Sequence, residues 1–478
     1  MSAYLNINKL PCIVVLCLIL FACRKEKASW TGSPLTPPIA NAGADQIIVK
    51  LADSTTVSSI LDGHLSSDSF RNIVSYRWMQ VAGPTTSKIA DSSAVKTTVT
   101  NLIVGVYEFE LKVTNSYGLY SKDTMKITIQ LPPSEVICVY DRPQINAQLV
   151  PVGTLSKAKS GFSVAYAGNK ILFAGGVDSV NVGYSKESSS VDIYDLETQS
   201  WSTANLKTAR TASAVAVNGN KIFFAGGGYI DDSYFSTIDI YDASSNTWTA
   251  TDLSIAKIAV AAASVGNKVM FAGGNESDLD DDIVDNRVEI YNLSTASWSF
   301  ANLSEARTGI RAVTINQKIY FLGGYSNGQV SNRIDIYDDS TKSWSVSQLS
   351  FLPAVWSAIA GGDKIFITNS DCEVEIRNTS TGTSTLETLS RSAPFGLTSV
   401  LKDNKIVFLR ERSKTFDIYD LPTGQWSVGV LPQPLFSGAS IISANNTIYV
   451  AGGMIDCKPI GNGGCSPVYS NLVWKLEF

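Results

Sequence analysis

The sequence predicts an all-β protein in two parts, and three observations carry that reading. Charged residues make up only 17% of the 478 residues while aromatics make up 10%, and the abundance of Ser, Thr, Gly, Val and Ile favours strands and turns over helices. Between residues 39 and 131 the text alternates: in "YEFELKV", Tyr107, Phe109, Leu111 and Val113 share one face, and Glu108, Glu110 and Lys112 the other. Period two with regular turn signals indicates an antiparallel sandwich. Beyond residue 150 the text repeats itself, with a Tyr seven residues before a Trp at Tyr194/Trp201, Tyr241/Trp248, Tyr291/Trp298, Tyr337/Trp344 and Tyr419/Trp426.

At the N-terminus, Lys9 precedes an apolar run from Leu10 to Ala22, the length of a signal-peptide core and short for a membrane span. The run ends in "LFAC", Leu20 to Cys23, which resembles a bacterial lipobox. That resemblance implies removal of residues 1–22, lipidation of Cys23 and attachment to the cell envelope of a diderm bacterium. The alternative is an ordinary signal peptide with an incidental cysteine. Arg24 stands where Asp would commonly signal inner-membrane retention, so the resemblance favours the outer membrane and leaves the leaflet open. Residues 23–38, polar and Pro-rich, read as a flexible tether.

In the alternating region, "ANAGADQ", "LDGHLSSDS", "YRWMQVAGP" and "GVYEFELKVTNSYG" resemble the polycystic kidney disease (PKD) domain. The resemblance implies an Ig-like sandwich over 39–131 that acts as a spacer or weak contact module, with Trp78 in its core and Gly105 and Gly118 in turns. His64, the one histidine of the chain, reads as part of a solvated turn beside Asp62 and Asp68 rather than as a metal ligand.

In the repeat, the run "GNKIFFAGGG" at 219–228 raises the question of a phosphate loop. No helix pattern follows it, so the helix dipole that such loops exploit is missing. Its Lys-to-diglycine interval recurs instead: Lys170/Gly175, Lys221/Gly226, Lys268/Gly273 and Lys318/Gly323, with Thr447/Gly452 lacking the lysine. This spacing of diglycine, Tyr and Trp resembles the kelch repeat, which implies four-stranded blades of a β-propeller over 132–478. One such sheet cannot bury both faces, but blades stacked around an axis can. Seven second strands, from "KILFAGG" to "TIYVAGG", predict seven blades, with six or eight as alternatives. The strand near 148–155, "QLVPVGTL", is expected to supply the outer strand that the last unit lacks. "VICVY" at 136–140 has no place in this count.

In blades of strands a to d, the b–c and d–a connections share one face, where a ligand is expected. Aligned by their lysines, the d–a connections place Lys159, Arg210, Lys257 and Arg307 in four consecutive blades, followed by Pro353, Ala393 and Leu435. These cations either form an arc that attracts an anionic group of a glycan or protein, or bond carbonyls at the blade ends. Four residues on, Arg311 stands among Ser163, Ala214, Ala261, Ser357, Thr398 and Ser440 and is expected to project into the channel as an anion anchor. Blades five and six replace the diglycine with Asn369-Ser370 and Arg410-Glu411. Their short loops predict a notch, with Trp356, Arg410 and Arg412 as ligand contacts.

Several function classes are disfavoured. A net charge of -5 does not fit a general nucleic-acid binder. The acidic loop 275–286 lacks the glycine and final glutamate of an EF-hand, and no C-x-x-C zinc pattern occurs. A propeller without histidine cannot build the histidine-ligated copper site of galactose-oxidase-like propellers or a histidine-based triad. No catalytic residue, metal or cofactor is therefore assigned. The enzyme alternative is an acidic-sugar mutarotase or epimerase resembling kelch-type sialic-acid mutarotases, with Glu373, Glu375 and Glu411 as available acids. A structural envelope protein is the third class. "CKPIGNGGC" predicts a Cys457–Cys465 disulfide, while Cys138 and Cys372 are either buried thiols or a second bridge.

Overall fold

The computed structural model describes residues 36–49, 57–69, 72–130, 135–181, 184–211, 214–228, 233–277, 282–350, 354–459 and 465–478. The signal segment 1–22, Cys23 and nearly all of the tether lie outside these residues, as do the side chains of Cys457 and Cys465.

The first part is the expected sandwich. One sheet orders Gln46–Val49, Tyr120–Gln130, Gly105–Asn115 and Ile73–Ala82, and the other Val57–Asp62, Lys96–Leu102 and Lys88–Ile89. The alternating strand points Tyr107, Phe109, Leu111 and Val113 into the core, where they join Leu61, Val99 and Trp78. The indole of Trp78 donates to the Ala94 carbonyl at 3.2 Å, so its polar atom is satisfied inside. His64 sits in an exposed turn, with Nδ1 2.9 Å from Asp62 Oδ1.

The second part is a ring of seven blades, each built on four antiparallel strands, with extra strands added to the outer edges of blades two and six. Their inner strands begin at Ser163, Ala214, Ala261, Arg311, Ser357, Leu397 and Ser440. Each packs beside the next, and the last beside the first. Blade seven is completed as the sequence predicted: Gln148–Thr154 pairs antiparallel with Leu472–Glu477. One element was not foreseen, since Gln144–Asn146 adds a parallel fifth strand to the outer edge of blade six.

The seven-residue Tyr–Trp spacing is the length of the c–d hairpin. It sets each Tyr directly across from its Trp, as at Tyr194 and Trp201, with ring centroids 4.7–5.2 Å apart in the five blades. Each Trp also lies on a second-strand Phe, as Trp344 does on Phe321 at 6.0 Å. The diglycine has a steric cause: a Cβ on Gly175 would stand 2.6 Å from the Arg210 carbonyl, and one on Gly176 2.6 Å from that of Ser160.

At the a–b/c–d ends of the blades, the lysine that opens strand b meets the aspartate that closes strand c. Lys170–Asp195 (2.9 Å), Lys221–Asp242 (2.6 Å), Lys318–Asp338 (2.9 Å) and Lys405–Asp420 (3.3 Å) form within blades. Blade three has Asn292 there, and Lys268 reaches Asp339 of blade four at 2.5 Å. The Lys170 ammonium and the amides of Thr198 and Glu197 hold Asp195 at about 2, and Lys221 and Ser244 hold Asp242 lower still. These folded values lie below the ~3.9 of an unfolded aspartate. The stabilisation is therefore present above pH ~4 and lost as pH falls through the folded values. Melting temperature is expected to be flat from pH 7 to 5 and to fall steeply between about pH 4 and 2; the Lys170→Met/Lys221→Met variant should show a shallower fall.

Candidate functional site

The four aligned cations lie inside the blades. Lys159, Arg210 and Arg307 are 0% exposed and Lys257 1%. Each enters the following blade and meets a strand-c acid: Lys159 with Asp192 at 3.0 Å, Arg210 with Asp239 at 2.7 Å, Arg307 with Asp335, and Lys257 with Glu289 at 3.5 Å and Asp285. Lys159 and Arg210 also bond strand-b carbonyls, Phe173 O (3.0 Å) and Phe224 O (2.9 Å), and Arg307 bonds the carbonyls of Gly323 (2.6 Å) and Arg333 (2.8 Å). Desolvation lowers the pKa of Lys159, Arg210 and Arg307, and the neighbouring carboxylate opposes that shift. The expected cationic arc is thus corrected: these charges are spent inward, because the connector leads each side chain to a waiting acid.

The same acid fastens the connector's backbone. Asp192, Asp239, Glu289, Asp335, Glu375 and Asp417 each accept an amide from the preceding d–a connection, at 2.7–3.1 Å. From the other side, the second glycine of blades one, two, three and seven donates to the carbonyl of the next cation at 3.0–3.1 Å. Glycine, connector, cation and acid therefore staple one blade to the next, with Gly453 to Lys159 joining blade seven to blade one.

Blades five to seven solve the same problem differently. In blade six the connector offers Ala393, and Arg410 takes over from the diglycine position. It is 1% exposed, pairs with Asp417, and donates to Arg391 O (3.1 Å) and Thr415 O (3.0 Å). Desolvation lowers its pKa to about 10. Arg410 is therefore not a ligand contact, and the lost diglycine is a relocated cation. In blade five, Arg377 approaches buried Glu375 at 3.4 Å and Ser384 donates to it at 2.6 Å. Blade seven has neither charge: Trp474 fills the acid position and packs in one apolar cluster with Leu435, which fills the cation position.

The predicted notch is filled by the chain that leads into the propeller. Residues 135–143 run as a strap over blades five and six. Cys138 forms a disulfide with Cys372 of the blade-five b–c loop, which decides the alternative the sequence left open. Its amide donates to Ser390 O at 2.8 Å, and Ser392 donates to Val136 O at 2.9 Å. Arg142 pairs with Asp417 at 2.7 Å and lies over the Trp426 ring at 4.3 Å. "VICVY" thus has its place.

Arg311 remains at the channel mouth. It is exposed, its Nε donates to the Trp356 carbonyl at 3.0 Å, and it has no carboxylate partner among the described residues. Surrounding protein lowers its pKa by desolvation, opposed by Tyr325. The structure thus brings Arg311 and Trp356 together. Arg412 stands apart, with its guanidinium 4.6 Å from the Phe395 ring. The candidate acids are engaged: Glu373 by Asn369 (2.7 Å) and Glu411 by Ser437 (2.9 Å), besides Glu375. In the acidic loop, Asn275–Ser277 and Asp282–Val284 form a hairpin, residues 278–281 lie outside the description, and Asp285 is tied to Lys257. A cavity of about 720 Å³ beside Ser399, Ile441 and Asn445 lies at the opposite, a–b end of the channel.

The class these features define is a PKD-like domain followed by a kelch propeller, a fold that generally serves as a binding module. Residues 42–129 match the family model of the KIAA0319-like PKD domain, and residues 158–205 and 306–347 match the kelch motif. The chain is 37% identical over 94 residues to the human dyslexia-associated protein KIAA0319, and to the mouse dyslexia-associated KIAA0319-like protein over the same length. Each alignment covers 20% of this chain and 8% of the relative, so the chain spans less than a tenth of those proteins.

Proposed function

We propose that this protein is an outer-membrane lipoprotein whose propeller binds an anionic group of a glycan or protein at the b–c/d–a mouth of its channel, with Arg311 as anchor. The carrying observation is a guanidinium fixed at Nε by the Trp356 carbonyl while the aligned residues of the other six blades are small. A cation at the channel mouth with no acid partner among the described residues favours an incoming carboxylate, sulfate or phosphate. Tyr325 and Trp356 supply flanking surface, and Arg412 a more distant charge. The lipobox-like "LFAC" and the Cys138–Cys372 bridge both support an oxidising compartment outside the cytosol.

The test is an array of acidic and neutral glycans together with envelope proteins, probed with wild type, Arg311→Ala and Arg311→Lys. Wild type is expected to retain an acidic ligand, Arg311→Ala to bind it at least tenfold more weakly, and Arg311→Lys to recover part of the loss. Equal binding by wild type and Arg311→Ala would remove the anchor.

A further inference from the structure

The junction that closes the ring differs from the other six. Six blades carry isoleucine at one position of strand c: Ile193, Ile240, Ile290, Ile336, Ile376 and Ile418. Each lies across from an apolar or aromatic residue of strand b, such as Leu172, Phe223 or Val407. Blade seven pairs Lys475 with Tyr449 instead. Placing an ammonium where packing favours isoleucine is unfavourable unless the group finds polar company.

The polar company has a topological origin. Because blade seven borrows its outer strand from the N-terminal side, no c–d turn closes its corner. A cleft of about 350 Å³ opens there, between the closing strand at Pro151 and Val152 and the c–d turn of blade one. Its polar wall is Tyr194, Tyr449, Gln199, Asn445 and Lys475. Lys475 is neutralised by Glu477 at 2.7 Å, and the Tyr166 hydroxyl fixes Asn445 by donating to its Oδ1 at 2.5 Å. The hydroxyls of Tyr194 and Tyr449 and the amide of Gln199 have no protein partner among the described residues. Tyrosine occurs at the Tyr166 position in no other blade, where Val217, Ser264, Thr314, Ala360, Leu401 and Ser443 stand.

We propose that this cleft binds a neutral saccharide unit. Its volume is that of a small-ligand pocket, its free groups are hydroxyls and an amide that both donate and accept, and its one cation is already compensated. The rings of Tyr194 and Tyr449 are buried, so a sugar meets their hydroxyl tips, while Pro151 and Val152 offer the apolar surface. The cleft is at the end of the blades opposite Arg311, so the inference does not depend on the anion site.

The test is saturation-transfer NMR on the full chain with cellotriose, xylotriose, mannotriose and chitotriose as probes. At least one is expected to receive saturation from wild type. Its dissociation constant should rise at least tenfold in Lys475→Ile/Tyr449→Leu, which restores the pattern of the other blades and should melt no lower than wild type. Should that variant melt lower, Gln199→Ala/Asn445→Ala, altered at two exposed positions, is expected to show the same loss. Arg311→Ala is expected to leave the affinity unchanged. Absence of transfer from all four probes, transfer undiminished in the cleft variants, or transfer abolished by Arg311→Ala would each overturn the proposal.

Discussion

Exchanging Cys138 for serine is expected to lower the unfolding free energy of the propeller by about 4–5 kcal/mol, because tying the ends of a very long loop removes much entropy from the unfolded chain. The Cys138–Cys372 bridge spans 234 residues. Its position adds a second effect. The strap stands directly before the parallel strand Gln144–Asn146 and the closing strand Gln148–Thr154, so the bridge fixes the point from which both start. Once it is cut, the closing strand is held by its own ladder, by the pairing of Gln144–Asn146 with blade six and by the strap's Arg142–Asp417 contact. Opening of the ring then becomes the first event of unfolding. In denaturant titrations followed through the propeller's own transition, Cys138→Ser, Cys372→Ser and the double variant should lose the same amount, since each removes the same bond. Reduction of wild type should reproduce that loss. A midpoint unmoved by any of these changes would show that the strap's hydrogen bonds hold it without the bridge.

Much of this fold was legible because repetition makes a sequence its own alignment. The Tyr–Trp interval, the second strands and the borrowed outer strand all follow from comparing units within the chain, and the blades bear them out. The direction of the cations was harder to read. Alignment located Lys159, Arg210, Lys257 and Arg307, but a column of basic residues does not say whether its charges face water or protein. The missing signal stood two residues before the strand-c Tyr: Asp192, Asp239, Glu289 and Asp335 accompany the four cations, and blade seven lacks both charges. Blades five and six retain Glu375 and Asp417 although their connector positions are not basic. A retained buried acid requires a cation from elsewhere, and Arg377 and Arg410 meet that requirement. The strap was illegible for another reason: its contacts join residues more than 230 positions apart, and no local period records them.

Asp417→Ala is expected to cost more than removal of any single cation around it, about 4–5 kcal/mol, because it strands two guanidiniums away from water. Asp417 and Arg410 have wholly buried side chains, and that of Arg142 is 10% exposed. Arg410→Ala, by contrast, leaves the carboxylate with Arg142 and with the amide and hydroxyl of Ser390 (3.1 and 3.0 Å), so a loss of about 3 kcal/mol is expected there. Blade seven supplies the control, since it has Trp474 at the acid position, Leu435 at the connector position and Gly452 where blade six has Arg410, all without charge. Asp417→Ala/Arg410→Leu should accordingly be more stable than Asp417→Ala alone, and the double-mutant cycle should give a coupling well above the scatter of independent sites, about 0.5 kcal/mol. Because Asp417 also holds Arg142 of the strap, its loss should make the protein more sensitive to reduction of Cys138–Cys372. Chemical denaturation of the four cycle members, oxidised and reduced, measures both couplings. Additive losses throughout would mean that strap and blade six are stabilised separately, whereas a positive coupling in both cycles would establish that one carboxylate holds the blade, its relocated cation and the entry of the chain into the ring.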